Sequence, residues 1–214
     1  MVVSEDDCVK YGDNNDPEIW LGGHYELSIE YHPSGDSLKL NNALETLYKS
    51  GLFNGMWAEK RDYLKSSVPL PITIEDESVQ LFYGTLSLSK DHELPCEISV
   101  IRIRGESDWL DISIPQGILE ETFPYTYPLT LEENPWLSGV IEMYAKLAES
   151  IFQRAPFNLA MIGEEVSGYA NEASLSIDDV ENLTLILPLH LQTKLRLNGK
   201  GRALSNNLKI YFYI

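Results

Sequence analysis

The sequence predicts an α+β fold in which an antiparallel-rich mixed sheet is covered by two main helices. Three observations carry this. His24 to Tyr31 alternates strictly between apolar and polar residues, and residues 135 to 154 hold an unbroken apolar stripe at helical spacing. Three strand-like runs also follow one another between Val79 and Ile114, the last two joined by the hairpin-type stretch GESD. The arrangement is compatible with a pair of ferredoxin-like halves, 20 to 115 and 116 to 214, inside one domain spanning 20 to 214, although no repeat is visible in the residues.

Residues 1 to 19 are rich in Asp, Asn and Glu without periodicity and read as an acidic flexible arm. In the first strand Tyr25, Leu27, Ile29 and Tyr31 form one face, and His24, Glu26, Ser28 and Glu30 form a face expected to be solvated. After the turn HPSGD, Leu40, Ala43, Leu44, Leu47 and Tyr48 recur at helical spacing, with Asp36 or Ser37 as N-cap and Gly51 as the stop. Phe53 to Glu59 reads as a second strand, and the two prolines of VPLPITIEDES mark an extended connection.

Val79 to Ser89 reads as a strand with Gly84 as a candidate bulge. In CEISVIRIRG the alternation of Ile98 and Val100 shifts phase to Ile101 and Ile103, which one inserted residue would produce. The long helix from 135 to 154 takes Asn134 as N-cap and Pro135 as its first residue, with Glu142 and Lys146 as an i,i+4 pair. Phe157 to Ile162 is a strand, GEEVSG a turn and SIDDVE a capped segment. Pro188 makes the alternating leucines 183 to 191 an edge strand or a strand-to-helix junction, and Leu208 to Ile214 closes the chain as a strand.

The chain of 214 residues carries 33 acidic and 16 basic side chains, a net charge of −17. That balance repels phosphate backbones and disfavours nucleic acid as a partner. No apolar run approaches the ~18 residues of a membrane helix, and the acidic start lacks the pattern of a secretory signal, so a cytoplasmic protein without membrane association is expected. Two cysteines, Cys8 and Cys96, fit that compartment. After Glu181 no acidic residue occurs, whereas Lys194, Arg196, Lys200, Arg202 and Lys209 do. This basic segment is expected to pack beside the acidic body or, on the sharper reading, to form an anionic site.

Chemical motifs are mostly missing. His24, His32, His92 and His190 show no HxxH, HExxH or CxxC spacing, and His24, Glu26 and Glu30 on one strand face do not converge on an ion, so no metal is expected. Without GxGxxG, GxxxxGK[ST] or GxSxG, no cofactor and no catalytic residue are assigned. Arg102 and Arg104 face Asp108 and Asp111 across the hairpin and are expected to form ion pairs. The four tryptophans, at 20, 57, 109 and 136, are expected in the core or at its margins.

Two features point outward. In FPYTYP, prolines hold Phe123, Tyr125 and Tyr127 extended, and clustered aromatics mark binding surfaces, although packing back onto the sheet is the more ordinary outcome. Glu164 and Glu165 form an acidic pair at a strand end, where both could serve one site only if the chain turns there. Together these five residues are the candidate partner-binding site. The expected function is a non-catalytic interaction module, of the immunity or inhibitor kind, against a basic protein; the alternative is an enzyme or small-molecule binder with a pocket near FPYTYP and Glu164.

Overall fold

The computed structural model describes residues 17–60, 67–89, 92–197 and 199–213. Nine strands are present among them: β1 (His24–Tyr31), β2 (Phe53–Trp57), β3 (Ser78–Ser89), β4 (His92–Arg102), β5 (Asp108–Pro115), β6 (Leu159–Glu164), β7 (Thr184–Leu187), β8 (Arg202–Ala203) and β9 (Lys209–Tyr211). The helices are α1 (Ser37–Lys49), α2 (Gln116–Thr122), α3 (Leu137–Arg154), α4 (Ile177–Asn182) and α5 (Leu189–Lys194). The strands form one sheet in the order β2-β3-β4-β5-β1-β6-β7-β9-β8, and every pairing is antiparallel. The fold is α+β, but the sheet is antiparallel throughout, where a mixed sheet was expected. The ferredoxin-like halves are not what this order gives. The strands flanking α1 are β1 and β2, and β5, β4 and β3 all lie between them, because the hairpins β2-β3-β4-β5 run as one meander back to β1.

One face of the sheet carries the main apolar core. Phe82, Ile98, Ile112, Leu27 and Ile162 sit in one cross-strand row, each opposite the next. Tyr144 and Leu147 of α3 are fully buried against this face, and the Tyr144 hydroxyl donates to the Tyr25 carbonyl at 2.9 Å. Helix α1 packs on α3 through Leu40, Ala43, Leu44 and Leu47. Its N-cap is Asp36, which accepts from the Lys39 backbone N–H at 2.9 Å, and Asn41 on its flank fastens the extended 67–77 segment by exchanging two hydrogen bonds with Ile72. Burying such side chains contributes roughly 1.5–3 kcal/mol each, which makes this face the main source of stability.

Several local expectations change. Residues 1–16 and Cys8 lie outside the described residues; Pro17–Trp20 form a 3-10 turn whose Ile19 and Trp20 are buried. Gly84 pairs in register with Cys96, and a Cβ there would run into the Phe53 ring, so it serves close approach; the irregularity at this point lies in the partner strand β2, between Gly55 and Trp57. No phase shift occurs in β4 either. Ile98, Val100 and Arg102 all point to the core face, and Arg102 ends the row by a double hydrogen bond to its cross-strand partner Asp108 at 2.9 and 2.8 Å. Arg104 pairs with Glu77 at 3.3 Å.

Asn134 does not cap α3. It is fully buried and holds the preceding loop, accepting from Thr126 N–H and donating to the Thr126 and Pro128 carbonyls, while α3 starts at Leu137 without a side-chain cap. Glu142 reaches Arg202 at 2.6 Å instead of Lys146, so part of the basic terminal segment does lie beside the acidic body. Pro188 is a strand-to-helix junction, since β7 lies inside the sheet between β6 and β9.

The largest correction concerns the face of β1 expected to be solvated. Glu26, Ser28 and Glu30 are 5%, 0% and 2% exposed. Their strand is the fifth of nine, and the chain after β6 folds back over it. Gly163 lies opposite Glu26 and permits the return, because a Cβ there would meet Val166 at 2.8 Å. Beside this polar strip, Leu159, Met161, Leu185, Leu187 and Tyr211 form a second, smaller apolar cluster covered by Val166, Leu175, Val180 and Leu191.

Candidate binding clefts

On the covered face of β1 the polar groups are satisfied by one another and by the returning segment. The Ser113 hydroxyl and the Ser167 backbone N–H both donate to Glu26, at 3.1 and 2.6 Å. Ser28 and Ser167 hydroxyls donate to the two oxygens of Asp111 at 2.6 and 2.8 Å. Burial, reinforced by the neighbouring Asp111 charge, pushes the Glu26 carboxyl up to about 7 against the pull of those donors. Burial raises Asp111 and Glu30 in the same way. At the strand start, the hydrogen bond to Glu97 is the main reason His24 is raised, with Glu165 adding to it. Among the described residues no group of three or more His, Cys, Asp or Glu is placed to hold a metal.

The expected site residues separate. Phe123 stacks on Trp136 with centroids 4.4 Å apart, and Tyr125 tilts against the same ring at 6.5 Å, so two of the three aromatics of FPYTYP pack back on the protein. Of the three rings Tyr127 projects, at 74% exposure. Glu165 takes a left-handed conformation, φ 48°, that turns the chain, and its carboxylate accepts from the His24 backbone N–H at 2.7 Å. Glu164 stays at the strand end. Tyr125 is raised first by burial and then by the Glu164 charge, which puts these two at the same end of the sheet.

That end contains a cleft of about 460 Å³ between residues 129–132, the start of α3 and the end of β6. Leu129, Leu131, Leu137, Ile141 and Leu183 give it apolar walls. Among the described residues its charged lining is Glu132 and Glu164, and no lysine, arginine or histidine lines it. A second cleft of about 760 Å³ opens at the other end of β1, around Glu30, His32, Ser107 and Trp109. Patterning within single elements marks Glu30 and His32 but not this second site, because its parts come from β1, the β4–β5 hairpin, the 168–173 segment and α5.

No family model, no curated protein and no solved structure matches this chain. No helix among the described residues is long and apolar enough to cross a membrane.

Proposed function

We propose that this protein is a non-catalytic interaction module, of the immunity or inhibitor kind, that captures a basic protein at the end cleft beside Glu132 and Glu164. The observation that carries this reading is an apolar groove whose only charged lining residues, among the described ones, are two carboxylates, in a chain of net charge −17. A lysine or arginine of the partner can lay its aliphatic stem on Leu129, Leu131 and Ile141 while its charge meets the carboxylates at the rim. The acid excess steers the approach, and exposed Tyr127 adds rigid contact area beside the groove. Cys96, a buried free thiol, agrees with a reducing cytoplasmic setting.

The test is retention of partners from the source cell on the immobilised chain, followed by binding kinetics with the purified partner. Added salt should slow association, and reversing Glu132→Lys with Glu164→Lys should abolish retention. Tyr127→Ala should speed dissociation, by about 2 kcal/mol if the ring is a hot spot. Retention unchanged by the double reversal would remove the cleft from the reading. If no macromolecule is retained and a metabolite raises the melting temperature, the protein is a small-molecule binder.

A further inference from the structure

The second cleft has a different chemistry. Glu30 lies on its floor and is 2% exposed, with a Ser107 hydroxyl donating to one oxygen at 2.5 Å and the Glu172 backbone N–H to the other at 2.7 Å. Both donors are neutral, and no lysine or arginine pairs with Glu30 among the described residues. The cations nearby are otherwise engaged. Lys194 donates to the Glu172 backbone carbonyl at 2.5 Å, and His190 approaches the Glu172 carboxylate at 3.0 Å. His32 borders the cleft, with its Nδ1 3.4 Å from the Ser107 hydroxyl. Glu106 lines the same cleft with no ion partner among the described residues, and Trp109, the cross-strand partner of Glu30 and 7% exposed, adds apolar lining.

A carboxylate withdrawn from water with only neutral hydrogen-bond donors gains most from a cation brought to it, and the ring of its cross-strand neighbour offers an apolar wall to the rest of the ligand. The volume is that of an ordinary small-molecule site. We propose that this cleft binds a small organic ammonium ion, its charge at Glu30, its alkyl chain along Trp109 and, for a diamine, its second charge at Glu106.

Titration calorimetry and tryptophan fluorescence on the full chain with 1,5-diaminopentane test this. Saturable one-site binding is expected, with 1,5-pentanediol, the neutral analogue, failing to bind. Glu30→Gln should weaken binding about tenfold or more and Glu106→Gln severalfold, since each removes one charge from the pair. Glu106 is exposed on a hairpin, so its variant reports even if Glu30→Gln does not fold. Trp109→Phe should remove the fluorescence change, and Glu164→Gln, at the other cleft, should leave binding unaltered. An Nα-acetyl-lysine amide arm tells a free amine from a protein lysine as the source of the ammonium group. No saturation up to about 10 mM, equal binding of the diol, or affinity indifferent to both Glu30→Gln and Glu106→Gln would overturn the assignment.

Discussion

The two faces of β1 are buried to nearly the same degree by opposite means. Toward α3, Tyr25, Leu27, Ile29 and Tyr31 meet apolar side chains from α3 and the neighbouring strands. On the other side, Glu26, Ser28 and Glu30 are covered by a loop whose Ser167 and Glu172 supply hydrogen bonds instead of apolar volume. The first face depends on packing, which is insensitive to pH. The second depends on satisfying carboxylates, each of which is costly to bury while charged, so its stability follows protonation.

The strongest way to break the apolar side is Leu147→Ala, which removes a fully buried side chain and should cost about 2–5 kcal/mol in urea denaturation. A loss below about half a kcal/mol would show that α3 contributes little to this face.

The polar side should reveal itself through pH. With Glu26 raised from 4.5 to about 7, the folded protein holds a proton there that the unfolded chain releases across that interval. Its contribution is therefore present below the unfolded value and lost as pH rises through about 7, on the order of 3 kcal/mol. Asp111 and Glu30 shift in the same direction. Raised His24 also loses its contribution as pH rises. Glu97 runs the other way: burial works to raise it, but His24 and Lys60 outweigh burial and hold it low, so its contribution fades only in acid. The midpoint of denaturation should be higher at pH 5.5 than at pH 8, and Glu26→Gln should flatten that slope. A protein more stable at pH 8 than at 5.5 would contradict the buried-carboxylate account.

Ser167→Ala deletes one hydroxyl donor to Asp111 while leaving the backbone bond to Glu26, and should cost about 1–2 kcal/mol. Hydrogen exchange would then speed up in the 165–173 segment and stay unchanged in α3, because the two faces are held separately. The smallest effect is expected at Tyr127, whose ring is mostly in solvent: Tyr127→Ala should change stability by less than about 0.5 kcal/mol. A large loss there would mean that the ring is structural and unsuited to anchor a partner.

Elements whose signal is local were legible in the sequence. The alternation of β1, the stripe of α3, the cap at Asp36 and the cross-strand pair of Arg102 with Asp108 depend on residues close in the chain or joined by a short hairpin. Of the five candidate residues Glu164 lines the end cleft, beside residues 129–132 that had not been singled out, whereas Phe123 and Tyr125 turned inward, since Trp136 offers them a ring to stack on. Asn134 was misread because a cap and a loop staple use the same residue type, and only the three-dimensional path of 126–130 shows which it is.

What the sequence by itself determined is the position of β1, of the β3-β4-β5 strands and of helices α1 and α3, and which face of β1 is apolar, because these follow from side-chain periodicity within one element; the short α2 and β8 carry no such periodicity and were not anticipated. Tertiary structure alone decided that β1 lies at the centre of nine strands, that the 165–173 segment returns over Glu26, Ser28 and Glu30, and that Glu30, Trp109 and Lys194 share a cleft. The physical reason is that burial belongs to the neighbours of a strand, and those neighbours, β5 and β6, come from some 80 and 130 residues further along the chain.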